Sequence, residues 1–165
     1  MSAAMHQFTI ERHLHAPREL VFSAWTEKHH LMHWFGPKGV TIPIAEMDLR
    51  PGGTFLFCMR MPDGVEMWGK WVFREIVPPE QIVLINSFSN ADGELTRHPF
   101  ADQWPLQMLS TTHFAEHNGG TTIRLKWSPI YATDAEIQSF DAGHESMKQG
   151  WTGTFDQLAA YLATI

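Results

Sequence analysis

Phe8, Ile10 and Leu14 fall on even positions, with Thr9, Glu11 and His13 between them. That alternation has the period of two that sets one face of a strand on a core and the other in water. Ala16-Pro17 follows, and Pro suits the start of a helix, where its missing N–H would have no partner. Leu20, Val21, Ala24 and Trp25 then form an apolar helical stripe. Leu31, Trp34 and Phe35, at i, i+3 and i+4, predict a second short helix that Gly36-Pro37 ends.

From Val40 to Ile130 the pattern changes to strands and turns. Arg50-Pro51-Gly52-Gly53, Pro62-Asp63-Gly64, Pro78-Pro79 and His117-Asn118-Gly119-Gly120 punctuate it. Between them lie expected strands at 40–49, 54–61, 66–77, 81–89, 106–116 and 121–128. Connections this short join antiparallel neighbours, because parallel strands need a crossover of a dozen or more residues. Asn90 to Pro105 breaks the rhythm. It is polar, carries Pro99 and Pro105, and reads as a long loop, the most mobile internal segment and a gate. Thr133-Asp134-Ala135-Glu136 is a capping box. Ile137, Phe140, His144, Met147, Trp151, Phe155, Leu158 and Leu162 then recur at spacings of three and four. This predicts one helix of ~30 residues, roughly 45 Å long, with Gly143, Gly150 and Gly153 as points of bending or close approach. The expected architecture is α+β, a single domain over 1–165 in the order β-α-α-β6-α, its curved antiparallel sheet wrapped around the C-terminal helix.

Composition narrows the function classes. Apolar residues make up 44% and charged residues 18%, which argues for a packed domain over disorder. Seven Trp, eleven Phe and nine Met exceed the needs of ordinary seams and suit an adaptable apolar surface. A net charge of −6 without any Lys/Arg run disfavours nucleic acid and anionic membrane surfaces. No apolar run is long enough to cross a bilayer. The lone Cys58 excludes an internal disulfide, and Met1–Gln7 is too short and polar for a secretory leader, so the expected location is cytoplasmic. Monomer and homodimer are both compatible with this composition.

The familiar catalytic and cofactor motifs are missing, so no cofactor is expected. His144-Glu145 is followed by Ser146-Met147-Lys148, without a second metal-binding histidine. His29 and His33 stand i, i+4 and could share an ion, but no third ligand is near in sequence. They read as solvated histidines, and no metal site is expected. His13 and His15 read as outward and wet. Arg12 shares the face of Phe8 and Ile10, so it must be paired or meet an anionic group.

The order of elements, with Ala16-Pro17-Arg18-Glu19-Leu20-Val21-Phe22, Trp34-Phe35-Gly36-Pro37, Asp48-Leu49-Arg50-Pro51-Gly52-Gly53 and Glu75-Ile76-Val77-Pro78-Pro79-Glu80, resembles the SRPBCC (START-like, helix-grip) superfamily. Gly119-Gly120-Thr121-Thr122 and Gly150-Trp151 ahead of Leu158 and Leu162 complete the resemblance, which runs from Phe8 to Leu162. Within the superfamily the chain is similar to the family named for the ATPase activator of the large cytosolic heat-shock chaperone (AHSA-like). The resemblance implies the helix-grip fold. In such a fold one helix cannot fill a strongly curved sheet, which leaves a cavity.

The candidate lining is Trp25 and Trp34 from the first helices and Phe57, Met59, Trp71, Met108 and Trp127 from the strands. Phe140, His144, Met147 and Trp151 would complete it from the C-terminal helix. His144 is either a core histidine with one hydrogen bond or a polar group aimed into the cavity. The leading expectation is an intracellular binding protein for a small, largely apolar or aromatic ligand. The alternatives are an enzyme on the same scaffold, of polyketide cyclase or hydrolase type, with His144 acting beside Glu66 or His113, and a chaperone-associated interaction module. Activators of the chaperone carry a further N-terminal domain for which 165 residues leave no room, which ranks the third reading last.

Overall fold

The structure, a computed structural model, describes residues 6–165, so most of the segment read against a secretory leader lies outside the described residues. Its elements are β1 (Phe8–Leu14), α1 (Arg18–Thr26), α2 (Lys28–Trp34), β2 (Thr41–Met47), β3 (Thr54–Arg60), β4 (Glu66–Val77), β5 (Gln81–Ser89), β6 (Gln107–His117), β7 (Gly120–Ile130), α3 (Asp134–Ala142) and α4 (His144–Leu162). The seven strands form one open sheet in the order β1-β7-β6-β5-β4-β3-β2. Every neighbouring pair is antiparallel. This is the helix-grip α+β fold.

Local chemistry explains the hairpins. Between β6 and β7, Asn118 (φ 50°) and Gly119 (φ 79°) make the two-residue Asn-Gly turn whose left-handed backbone matches strand twist. Its register pairs His117 with Gly120 and sets Trp127 opposite Ser110. Alternate residues of the strands then face one core. Phe55, Phe73, Phe114, Ile123 and Leu125 are almost fully buried there against Phe155 and Leu158 of α4. Arg12 finds its partner within the protein: its guanidinium donates to Asp156 Oδ1 at 2.7 Å and ties β1 to α4. His15 is exposed as expected, whereas His13 is half-buried with its Nδ1 3.3 Å from Thr122 Oγ1.

The single long C-terminal helix is corrected. The chain breaks at Gly143 (φ −94°, ψ 7°) into α3 of nine residues and α4 of nineteen. The cause is a close approach from the loop 90–105: a Cβ at Gly143 would lie 2.8 Å from Trp104 Cζ3. Gly150 and Gly153 stay inside α4 with nothing closer than 3.8 Å to a Cβ at either place. The capping box forms as read, Thr133 Oγ1 accepting from Glu136 N–H and Glu136 Oε1 from Thr133 N–H.

Two further features frame the site. The loop 90–105 is tied down by polar bonds: Arg97 donates to Glu136 and to Trp104 O, and Lys70 Nζ donates to Gly93 O at 3.0 Å. At the far edge of the sheet, β2 shifts register between Thr41 and Ile44, around Pro43. Among the described residues, no helix is long and apolar enough to cross a membrane.

Candidate functional site

A cavity of about 500 Å³ lies between the sheet, α1, the segment 35–37, α4 and the loop 90–105. Its size falls in the range of small-molecule pockets. On the sheet side, β3 contributes Phe57 and Met59, β4 Met67 and Trp71, β5 Asn86 and Phe88, and β6 Met108. Strand register sets these side chains: Phe57 pairs with Gly69, and Trp71 with Asn86. Gly69 is required there because a Cβ would sit 2.4 Å from Phe57 Cζ, so the missing side chain lets the Phe57 ring lie across β4. Gly36 plays the same part for Met59: its φ of +103° excludes most residues, and a Cβ would meet Met59 Cε at 2.7 Å.

Indoles from α1, α4 and β7 meet along the rest of the wall. Trp25 stacks on Trp151 at 5.8 Å and 13° between planes, while Trp127 meets Trp151 edge-on at 5.6 Å. Trp127 Nε1 donates to Ser110 Oγ at 3.1 Å, which fixes that ring. Met147 stands one turn before Trp151 on the same wall.

Polar groups are few. Asn86, Ser87, Ser110, Ser146 and Thr154 contribute neutral side chains, and Thr154 Oγ1 already donates to Gly150 O. His98 comes from the loop. Its Nδ1 accepts the Phe100 N–H at 3.0 Å, so the neutral ring carries its proton on Nε2. Burial pushes its pKa down, and the ring packs edge-on against Phe88 at 4.8 Å. His98 is therefore a neutral hydrogen-bond donor at pH 7. Among the described residues, no Asp, Glu, Lys, Arg or Cys lines the cavity.

Of the residues singled out from the sequence, Trp25, Phe57, Met59, Trp71, Met108, Trp127, Met147 and Trp151 come together at this cavity. Trp34, Phe140 and His144 do not. Trp34 is held under the α1–α2 corner by its Nε1–H bond to Ala24 O. Phe140 sits on α3, which the break at Gly143 separates from the α4 stripe, and packs against Trp104. His144 begins α4 edge-on to Phe8 and Phe140, and its buried Nε2 lacks a hydrogen-bond partner among the described residues. The pairings considered for catalysis also fall apart. Glu66 is engaged by Arg60 at 2.7 Å, and His113 is exposed on β6. Sequence reading missed Phe35, Phe88, His98 and Trp104. The alternation Leu84, Asn86, Phe88 in β5 was a usable signal for one of them; the loop residues offered none.

Comparison with known proteins follows the same lines. The family described as Activator of Hsp90 ATPase homolog 1-like protein matches residues 15–163. No curated protein matches the chain significantly. Among solved structures, protein Ms6760 from Mycobacterium smegmatis is similar at 24% identity and a TM-score of 0.75, over 96% of this chain and 91% of that one. A protein from Arthrobacter aurescens shares 22% identity and a TM-score of 0.77, over 100% of this chain and 90% of that one. An AHSA1 protein from Silicibacter pomeroyi shares 20% identity and a TM-score of 0.70, over 96% and 98%. Likeness at these identities speaks to the fold.

Proposed function

We propose that this chain, which belongs to the family of Activator of Hsp90 ATPase homolog 1-like proteins, binds a small, largely apolar or aromatic molecule between its sheet and α4. The observation that supports this reading is the aromatic and methionine-lined cavity, into which none of the described residues brings an Asp, Glu, Lys or Arg. Flat rings and flexible thioethers favour an uncharged, planar or greasy guest. The neutral His98 Nε2–H and the Asn86 amide offer it one or two hydrogen bonds, enough to orient it. Acid–base work would need a second titratable group within hydrogen-bond reach, and among the described residues the lining supplies His98 alone.

Native mass spectrometry of freshly purified protein tests the reading first, by showing any guest carried through purification. Thermal melts with a panel of aromatic and fatty compounds test it next. A true ligand at 100 times its dissociation constant stabilises by about 2.7 kcal/mol and should perturb indole fluorescence. Trp151→Ala should erase that shift. A panel without any effect on the wild type, together with a mass spectrum of bare protein, would refute the proposal.

A further inference from the structure

Away from the cavity, the corner between α1 and α2 carries a cluster of histidines read from the sequence as solvated. His33 stacks on the Tyr161 ring at 5.3 Å and 11°. His29 lies against His30, with ring centroids 4.1 Å apart, and Glu27 joins them. One donor atom from each of Glu27, His29 and His30 lies within 4.8 Å of the other two. None of the three lines the cavity. We infer that Glu27, His29 and His30 form a binding site for a borderline divalent transition ion, of which Zn²⁺ is the natural probe.

Three points of geometry carry this. Ligands 2.0–2.1 Å from a tetrahedral ion stand roughly 3.3–3.4 Å from one another. His30 Nε2 and Glu27 Oε2 are already 3.8 Å apart, so small side-chain adjustments close the set. Glu27 and His29 are exposed and free to make them, whereas His30 is more deeply set. His30 is also aimed from behind. Its Nδ1 lies 2.5 Å from Tyr161 Oη, an oxygen brought by α4. With Nε2 turned to the ion, Nδ1 carries the proton and donates it to that oxygen. A second hydrogen bond of this kind fixes the tautomer and ring orientation of metal-bound histidines. Finally, two imidazoles and one carboxylate make a donor set that suits zinc, copper or nickel rather than calcium or magnesium. Three protein donors leave the fourth position to water, the pattern of an open site. Because Tyr161 belongs to α4 and the ligands to the α1–α2 corner, the ion would also fasten that corner to the C-terminal helix.

The test uses tag-free protein stripped with chelator, titrated with Zn²⁺ by calorimetry and with Co²⁺ by visible absorption. One ion per chain is expected, with cobalt bands of tetrahedral intensity and a melting temperature raised by Zn²⁺. His29→Ala, at an exposed position that leaves the fold intact by circular dichroism, should weaken Zn²⁺ at least tenfold. Tyr161→Phe should weaken it 10- to 100-fold, the usual cost of losing an outer-shell partner. His13→Ala and His117→Ala, in the separate histidine group near the β6–β7 turn, should leave it unchanged. The assignment is overturned if wild-type protein takes up no more Zn²⁺ than the Glu27→Gln/His29→Ala double variant, or if His13→Ala removes the binding.

Discussion

The sheet wall of the cavity and the wall opposite it are built by different means. On the sheet, each lining side chain is placed by backbone pairing with two neighbouring strands, and residues such as Phe55 and Phe73 back it from within the same core. The loop 90–105 contributes His98 and Trp104 without such a ladder. It hangs on Arg97 with Glu136, Lys70 with Gly93 O, and the Asn90 side chain, which accepts from the N–H groups of Asp92 and Glu94. The contrast separates shape from access. Opening the sheet wall requires unfolding much of the domain, whereas opening the loop requires loss of a few polar bonds and of the Trp104 contact with Phe140, and local opening free energies follow that difference.

Substitution at the sheet wall should have the largest effect. Phe55→Ala empties a fully buried position behind Trp71 and Phe57. A cost of about 3–5 kcal/mol is expected from chemical denaturation, since the neighbouring rings cannot collapse into the void. Gly69→Ala is subtler. Its new methyl displaces the Phe57 ring, which cannot slide sideways against Phe55 and Trp71. We expect a loss of about 1–3 kcal/mol from overpacking, and a guest-induced melting shift reduced out of proportion to it. An equal shift in wild type and variant would show that the Phe57 ring does not shape the pocket.

The loop should respond least in global stability and most in local motion. Arg97→Ala leaves the buried Glu136 carboxylate with Thr133 alone. About 1 kcal/mol is expected, since Arg97 itself is half exposed. Amide exchange across 95–104 should accelerate while that of β7 stays slow. Acid reaches the same latch. The Thr133 N–H, followed by Arg97, holds the Glu136 pKa below its ordinary 4.5. A depressed carboxyl stabilises the fold fully above the ordinary value and loses that contribution as pH falls through the lowered one. Wild-type loop exchange should therefore quicken only below about pH 4.5, and Glu136→Gln should remove the dependence.

What could be read in advance follows the same division. Strands β3, β4 and β5 were legible almost to the residue because turn residues bracket a period of two. Trp25, Phe57, Trp71 and Trp151 were found because a single face of a regular element carried them. Phe140 and His144 continue the Met147–Trp151 stripe on paper, yet the break at Gly143 puts Phe140 on α3, and His144, at the first position of α4, turns to Phe8 and Phe140. That break depends on Trp104, brought there by the fold. His98 owes its place to the same loop. Long-range packing of an irregular segment leaves no periodic trace, so the loop's contribution could not be inferred from spacing. Glu27, His29 and His30 are neighbours in sequence, but the aim of the His30 ring cannot be read there. That aim depends on Tyr161 arriving from the other end of the chain.

The register shift around Pro43 has a consequence for life in a crowded solution. An open sheet offers two bare margins to any other extended chain, and polymeric stacking begins at such margins. Proline cannot donate to a docking strand, and a shifted ladder cannot match a regular one. Here β2 carries both, with Glu46 exposed further along the same margin. On the opposite margin β1 is anchored to α4 through Arg12 and Asp156. A replacement of Pro43 by a β-branched residue should therefore be felt in colloidal behaviour before it is felt in folding: slow growth of thioflavin-positive aggregates at high concentration, from a domain whose melting curve has scarcely moved.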